Sequence, residues 1–258
     1  MRSDESYKQA FYPLLPDVRH IRFNHKEDLS RITEKSSCVI LEPVQAEAGV
    51  ILPDSEYLKA VRERCNETGA LMVLDEIQTG FGRTGTLFAH QSQDVVPDIL
   101  LLGKAMGGGM PIAAFVSSLE IMETLTKNPM LGHITTFGGH PVSCAAAEAC
   151  LRTLLEEPEI INQVPAKAQI LVEFLESFDI IKEVRHAGLM MAVEVTKRKY
   201  LKHIVNTCME AGLIADYFLF NDRSFRLAPP LIISDDEIEL AKNIFKTAID
   251  FAEKKYKR

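Results

Sequence analysis

The sequence predicts an α/β protein: a parallel or mixed sheet with helices on both faces, followed by a smaller α+β domain. Three observations predict it. Short continuous apolar runs recur through the first half, which is how strands buried on both faces read. Stretches with helical apolar periodicity lie between those runs, as in a wound sheet. Beyond about residue 150 the pattern changes to paired helices, short strands and a long capped C-terminal helix.

The elements follow in order. The run CVIL at 38–41 reads as a buried strand. A helix is expected over 55–67, with Leu58, Val61 and Cys65 on one face and Asp54 or Ser55 as N-cap. Further buried strands are expected at 71–74 (LMVL), 98–102 (DILLL) and 112–116 (IAAFV). The second half predicts helices over 141–155 and 160–178, strands at 181–185 and 189–195, and a helix over 201–211. Short strands are expected near 213–215 and 225–227. The capping box from Ser234 to Glu237 opens a last helix, whose apolar stripe runs through Ile238, Ala241, Phe245, Ala248 and Ala252. This divides the chain into a large domain over 1–150 and a small α+β domain over 151–258.

Composition narrows the function classes. With 47% hydrophobic residues among 258, the chain can bury a sizeable core in one large domain or two smaller ones. A net charge of −7 argues against nucleic acid or an anionic membrane as the main partner. Five cysteines, an odd number with no Cys-x-x-Cys pair, argue for reduced thiols in the cytoplasm rather than a disulfide framework or zinc ribbon. No apolar run is long enough to span a membrane, and the opening MRSDESYKQAFYPLLP lacks the apolar core of a signal peptide.

Chemistry in wound sheets gathers at the carboxyl ends of the strands. Four polar segments flanked by glycine or proline sit there: EPVQAEAGV at 42–50, LDEIQTGFGRTG at 74–85, LLGKAMGGGMP at 101–111 and TTFGGHP at 135–141. A fifth, FRLAPPL at 225–231, lies in the second domain. Lys104, just past a buried strand, is placed for partial desolvation, which favours the neutral amine that reacts with an aldehyde. Taken alone, such a lysine is more often a snorkelling surface residue. Asp75 emerges at a strand tip, where a carboxylate can pair with a cation inside a site or simply cap a turn. Ile77 can press on a flat ring or fill the core, and Gln78 can bond a ring oxygen.

Other candidates are weaker singly. Thr136, in the loop before Pro141, can bond a phosphate oxygen or stabilise a turn. Glu42 and Glu47 flank the turn after the first strand and can bind an amine or an arginine, or simply sit in a solvated loop. Arg226 alternates with Phe225 and Leu227, so it faces the opposite side of its strand, where it can bind a carboxylate bidentately or form a surface ion pair. The glycines 80, 82 and 85 lack the helix start of a dinucleotide site. In GKAMGGG the lysine precedes the glycines, so the segment is not a Walker loop. His133 and His140 lack a third ligand at sensible spacing, so no metal is expected.

Order and spacing decide where single residues do not. LDEIQTGFGRTG, then GKAMGGGMP with its lysine 29 positions after Asp75, then TTFGGHP and RLAPPL, resemble the class III aminotransferases, which are fold type I enzymes of pyridoxal 5′-phosphate (PLP). The resemblance runs from about Tyr7 to the end. EPVQAEAGV and FRLAPPL look most like the ornithine and acetylornithine enzymes. Ala46 stands where glycine is commoner, and His140 where asparagine is usual.

The resemblance implies roles. Lys104 would hold PLP covalently and shuttle a proton between substrate and cofactor. Asp75 would pair with the pyridinium nitrogen, Ile77 would pack on the ring and Gln78 would contact its hydroxyl. Thr136 would reach the phosphate of a partner subunit's cofactor, implying a homodimer. Glu47 would pair with Arg226 as a switch admitting both an amine-bearing donor and the acceptor 2-oxoglutarate, with Glu42 supporting the turn. The family's phosphate loop (Ser-Gly-Thr/Ser-Glu-Ala), ring-stacking aromatic residue and His-Gly-Arg-type arginine do not occur here. The expectation is therefore a chain without the first third of such an enzyme, binding PLP poorly and turning over slowly. The competing expectations are a non-catalytic remnant acting as a dimerisation module, and aminomutase or decarboxylase chemistry on the same fold.

Overall fold

The structure, a computed structural model, describes residues 5–130 and 133–256. The signal-peptide reading draws in part on residues 1–4, which lie outside the described residues. After a short helix α1 (Glu5–Lys8), the chain builds a four-stranded mixed sheet. Its strands are β1 (Cys38–Leu41), β2 (Leu71–Asp75), β3 (Ile99–Leu102) and β4 (Ala114–Ser117), side by side in that order. The first three run parallel and β4 antiparallel. Helix α2 (Tyr57–Thr68) makes the crossover from β1 to β2. It buries Leu58, Val61 and Cys65 against Val39, Met72 and Leu74. At the sheet's edges Ile40, Phe115 and Val116 stay about half exposed.

The expected N-cap of that helix does not hold. The cap position is Glu56, with no side-chain cap. Asp54 is engaged in the preceding turn instead, its N–H donating to Asn24 and its carbonyl accepting from the Tyr57 N–H.

The second half begins with α3 (Leu119–Glu123), capped by Ser118, and α4 (Pro141–Glu156), which has proline in its first turn. The single helix expected over 160–178 is two, α5 (Glu159–Asn162) and α6 (Val164–Glu176). Pro165, lacking an N–H, cannot continue a helix and instead occupies the first turn of α6. An antiparallel sheet follows, built from β5 (Ile181–Ala187), β6 (Met190–Val195), β7 (Asp216–Tyr217) and β8 (Ser224–Leu227) in the order β5-β6-β8-β7. Helix α7 (Arg198–Glu210) lies between β6 and β7. The strand expected at 213–215 forms at β7 because the Leu213 N–H still bonds the Cys208 carbonyl, so these residues finish the turn after α7.

Helix α8 (Asp235–Tyr256) opens on the expected capping box. The Ser234 N–H donates to the Glu237 carboxylate at 2.8 Å, and the Glu237 N–H to Ser234 Oγ at 3.2 Å. It buries Ile238, Phe245, Ala248, Ile249 and Ala252 against Phe225, Ile204 and Leu175. A small cluster of Val44, Ala46 and Val50 with Met190, Ala192 and Phe218 seats the loop after β1 on the second sheet.

Candidate active site

Because β1, β2 and β3 are parallel, their carboxyl ends lie along one side of the sheet. Asp75, the last residue of β2, stands beside Leu101 of β3, and Lys104 follows three positions on. The Asp75 carboxylate accepts the Ile77 N–H at 3.0 Å, folding the chain into a tight turn. That turn lays Ile77 against the glycine before the lysine: a methyl added at Gly103 would sit 3.4 Å from Ile77 Cγ2. Among the described residues no ion pair joins Asp75 or Lys104 to another residue, and the hydrogen bond that holds the Asp75 carboxylate is the one from the Ile77 N–H.

Lys104 opens a 3-10 turn (Lys104–Gly107) in the left-handed region, at φ 47°. Val50 and Phe81 share that conformation in the two neighbouring loops. Bulky residues held there carry strain, a recurrent feature of functional sites. Gly108 (φ 54°) closes the turn, and any side chain there would meet the Ala146 carbonyl of α4 at 2.9 Å. The expectation that Lys104 is partly desolvated is not met: its side chain is exposed, because no described element packs over it.

Beside this pair lies a network of hydrogen bonds that joins the two sheets. Glu47 Oε1 accepts from Gln78 Nε2 at 3.1 Å and from Arg226 Nη1 at 2.7 Å. Its other oxygen accepts the Leu219 N–H. Arg226 Nη2 also bonds Asp216 Oδ2 at 2.5 Å, and the guanidinium lies 5.8 Å from the centre of the Phe218 ring. Arg226 is half-buried between buried Phe225 and Leu227, as alternation predicted. Burial works against ionisation of Glu47, but its bonds from Gln78, Leu219 and Arg226 outweigh it and hold the carboxyl below the usual range. Glu42, whose Oε2 accepts the Ala46 N–H, moves the other way. Burial, helped by the charges of Asp75 and Glu47, pushes it up.

The structure thus brings Glu42, Glu47, Asp75, Ile77, Gln78, Lys104 and Arg226 to one region. Thr136 lies in an exposed turn ahead of α4 and makes no hydrogen bond to them. Concavities of about 600 Å³ beside Arg64 and about 540 Å³ beside Lys202 lie among other residues. Among the described residues no cluster of His, Cys, Asp or Glu could hold a metal, and no helix is long and apolar enough to cross a membrane.

Three residues that hold the site together escaped the sequence reading. Glu76 is fully buried and accepts from Thr79, from the Ala89 and His90 N–H groups and from the His90 ring. Arg83, largely buried, donates to the Leu189 and Pro229 carbonyls and so ties the loop after β2 to the second sheet. Asp216 is the second acid on Arg226. The only sequence signal was for Arg83, a cation enclosed by glycines.

An exposed amine past one strand end, a carboxylate at the end of the next and an apolar side chain against Gly103 are groups that PLP chemistry uses. The sequence model of the family "Aminotransferase class-III" matches residues 2–249, and the chain belongs to that family, whose cofactor is PLP. Among solved structures it is similar to ornithine aminotransferase from Toxoplasma gondii, at 31% identity over 99% of this chain and 61% of that one, with a TM-score of 0.90. That protein was crystallised with partial occupancy of PLP at its active site. N-acetylornithine aminotransferase from Stenotrophomonas maltophilia is 36% identical over 90% of this chain and 62% of its own, with a TM-score of 0.79. Ornithine aminotransferase from Plasmodium yoelii is 32% identical over 90% and 62%, with a TM-score of 0.80. The chain therefore spans about three-fifths of the length of these relatives.

Proposed function

We propose that this chain carries the catalytic half of a PLP-dependent transaminase that moves an amino group from an ornithine-like or ω-amino donor to 2-oxoglutarate. The observation that carries the reading is that Asp75 ends β2 beside the β3 end that leads to Lys104, while Gln78, three positions after Asp75, bonds Glu47 of the Glu47–Arg226 pair. When bound, PLP supplies an aldehyde for an amine to join and a ring that takes up an electron pair. Lys104 is the residue that would hold the cofactor's aldehyde carbon, and its ε-amine would be the group that moves the proton. Asp75 would pair with the ring nitrogen, Ile77 would pack on the ring face, and Gln78 would contact the ring hydroxyl.

Arg226 binds a carboxylate of 2-oxoglutarate, while Glu47 neutralises it when the donor presents an amine. Glu42 shapes the turn from which Glu47 projects. In this reading residues up to about 150 form the cofactor-binding lobe, and the protein works in the cytoplasm as a homodimer. Thr136 reaches the partner subunit's cofactor phosphate, and exposed Ile134, Phe137 and Val142 beside it suit such an interface. The same apolar patch favours the second reading, a dimerisation module without turnover.

The test supplies PLP, ornithine or another ω-amine, and 2-oxoglutarate, and follows glutamate. Slow glutamate formation that needs the donor and vanishes in Lys104→Ala is expected. PLP held at Lys104 without glutamate from any ω-amine would leave the dimerisation module standing.

A further inference from the structure

Arg226 is held by two acids rather than one, and only Glu47 was anticipated. Asp216 lies directly across from it in the antiparallel pairing of β7 with β8, so the contact is fixed by strand register rather than by a flexible loop. Asp216 Oδ2 takes Nη2, and Glu47 Oε1 takes Nη1. The two outer nitrogens of the fork are those a carboxylate would use for a bidentate grip. Glu47 has other donors to keep it in place if it lets go, namely Gln78 and the Leu219 N–H. Asp216 has one besides Arg226, the Tyr217 N–H on Oδ1 at 2.7 Å. Two carboxylates around one guanidinium leave the cluster with a net negative charge.

We propose that Asp216 is a specificity-determining residue: by occupying the second nitrogen of Arg226, it competes with an incoming carboxylate and tilts the site from dicarboxylates towards substrates with a cationic end. The inference rests on the function proposed above. A dicarboxylate must displace an acid from the fork or bind beside two carboxylates already on it, against their repulsion, a cost that a donor ending in an amine does not meet. Such a donor is attracted by the same surplus charge. Asp216 is more than half exposed, so the effect has the size of a solvent-screened ion pair, about two- to fivefold in affinity.

The probe is glutarate, a dicarboxylate with no amine or oxo group, titrated calorimetrically into the PLP-treated full chain and into Asp216→Asn and Arg226→Gln. Asparagine keeps an oxygen for the Tyr217 N–H, and Asp216→Ser gives a second variant should the first fold poorly. The expected result is glutarate binding about two- to fivefold tighter in Asp216→Asn, a gain that shrinks at high salt, with binding lost in Arg226→Gln. In turnover the same variant lowers the KM for 2-oxoglutarate and raises the KM for the amine donor, a split that a merely structural role would not give. Unchanged or weaker glutarate binding in both Asp216 variants, with Arg226→Gln still abolishing it, overturns the inference and leaves the proposed function intact. Glutarate binding that ignores Arg226→Gln, or is absent throughout, overturns both.

Discussion

Glu47 Oε1 lies 2.7 Å from Arg226 Nη1, across 179 positions of sequence, and this bond joins the loop after β1 to the second sheet. The carboxylate also accepts from Gln78 and Leu219, so Glu47→Ala removes acceptors from three donors at once. The expected loss is about 1–3 kcal/mol, discounted from the value for buried charged bonds because both partners are partly open to water. Urea denaturation checks it. Folding lowers the pKa of Glu47, so its stabilisation is complete above the usual carboxylate range, about pH 4.3, and fades as pH falls through the folded value. The difference between wild type and Glu47→Ala should therefore shrink in acid.

Glu42 predicts the opposite trend. Its folded pKa is raised by burial and by Asp75 and Glu47, so ionising it costs stability as pH climbs through and beyond its usual value. Glu42→Gln keeps an oxygen for the Ala46 N–H and removes the charge. It should stabilise the chain by about 0.5–1 kcal/mol at pH 7 and give no gain near pH 4, read from thermal midpoints at the two pH values.

Glu76 accepts four hydrogen bonds in a fully buried position between Asp75 and Ile77. Glu76→Ala should cost about 3–5 kcal/mol, since it strands the Ala89 and His90 donors away from water. Glu76→Gln should recover little, because its amide nitrogen would face another N–H. Guanidinium denaturation midpoints of both variants check this. A cost below about 1 kcal/mol for the alanine would mean that the loop re-forms its bonds elsewhere.

The strands of the first sheet were legible because CVIL, LMVL and ILLL are uninterrupted apolar runs, and the C-terminal helix because Ser234 and Glu237 spell out its cap. The helix starting at Tyr57 and the strand at Asp216 were displaced from expectation. The first boundary is set by a long-range bond, from the Asp54 N–H to Asn24 Oδ1, which no local pattern records; the second is set by a local one, from the Leu213 N–H to the Cys208 carbonyl around Gly212. Asp75 and Lys104 were readable from their place at strand ends. Glu76 and Asp216 were not, because their partners come from distant segments and acids in turns are common.

The amine of Lys104 and the carboxylate of Asp75 are proposed to serve one ring. The most direct measurement is reduction with borohydride in the presence of PLP, followed by peptide mass mapping. A pyridoxyl adduct at Lys104 is expected, strongly reduced in Asp75→Asn and absent in Lys104→Ala. An adduct scattered over surface lysines, with none concentrated at position 104, would contradict it.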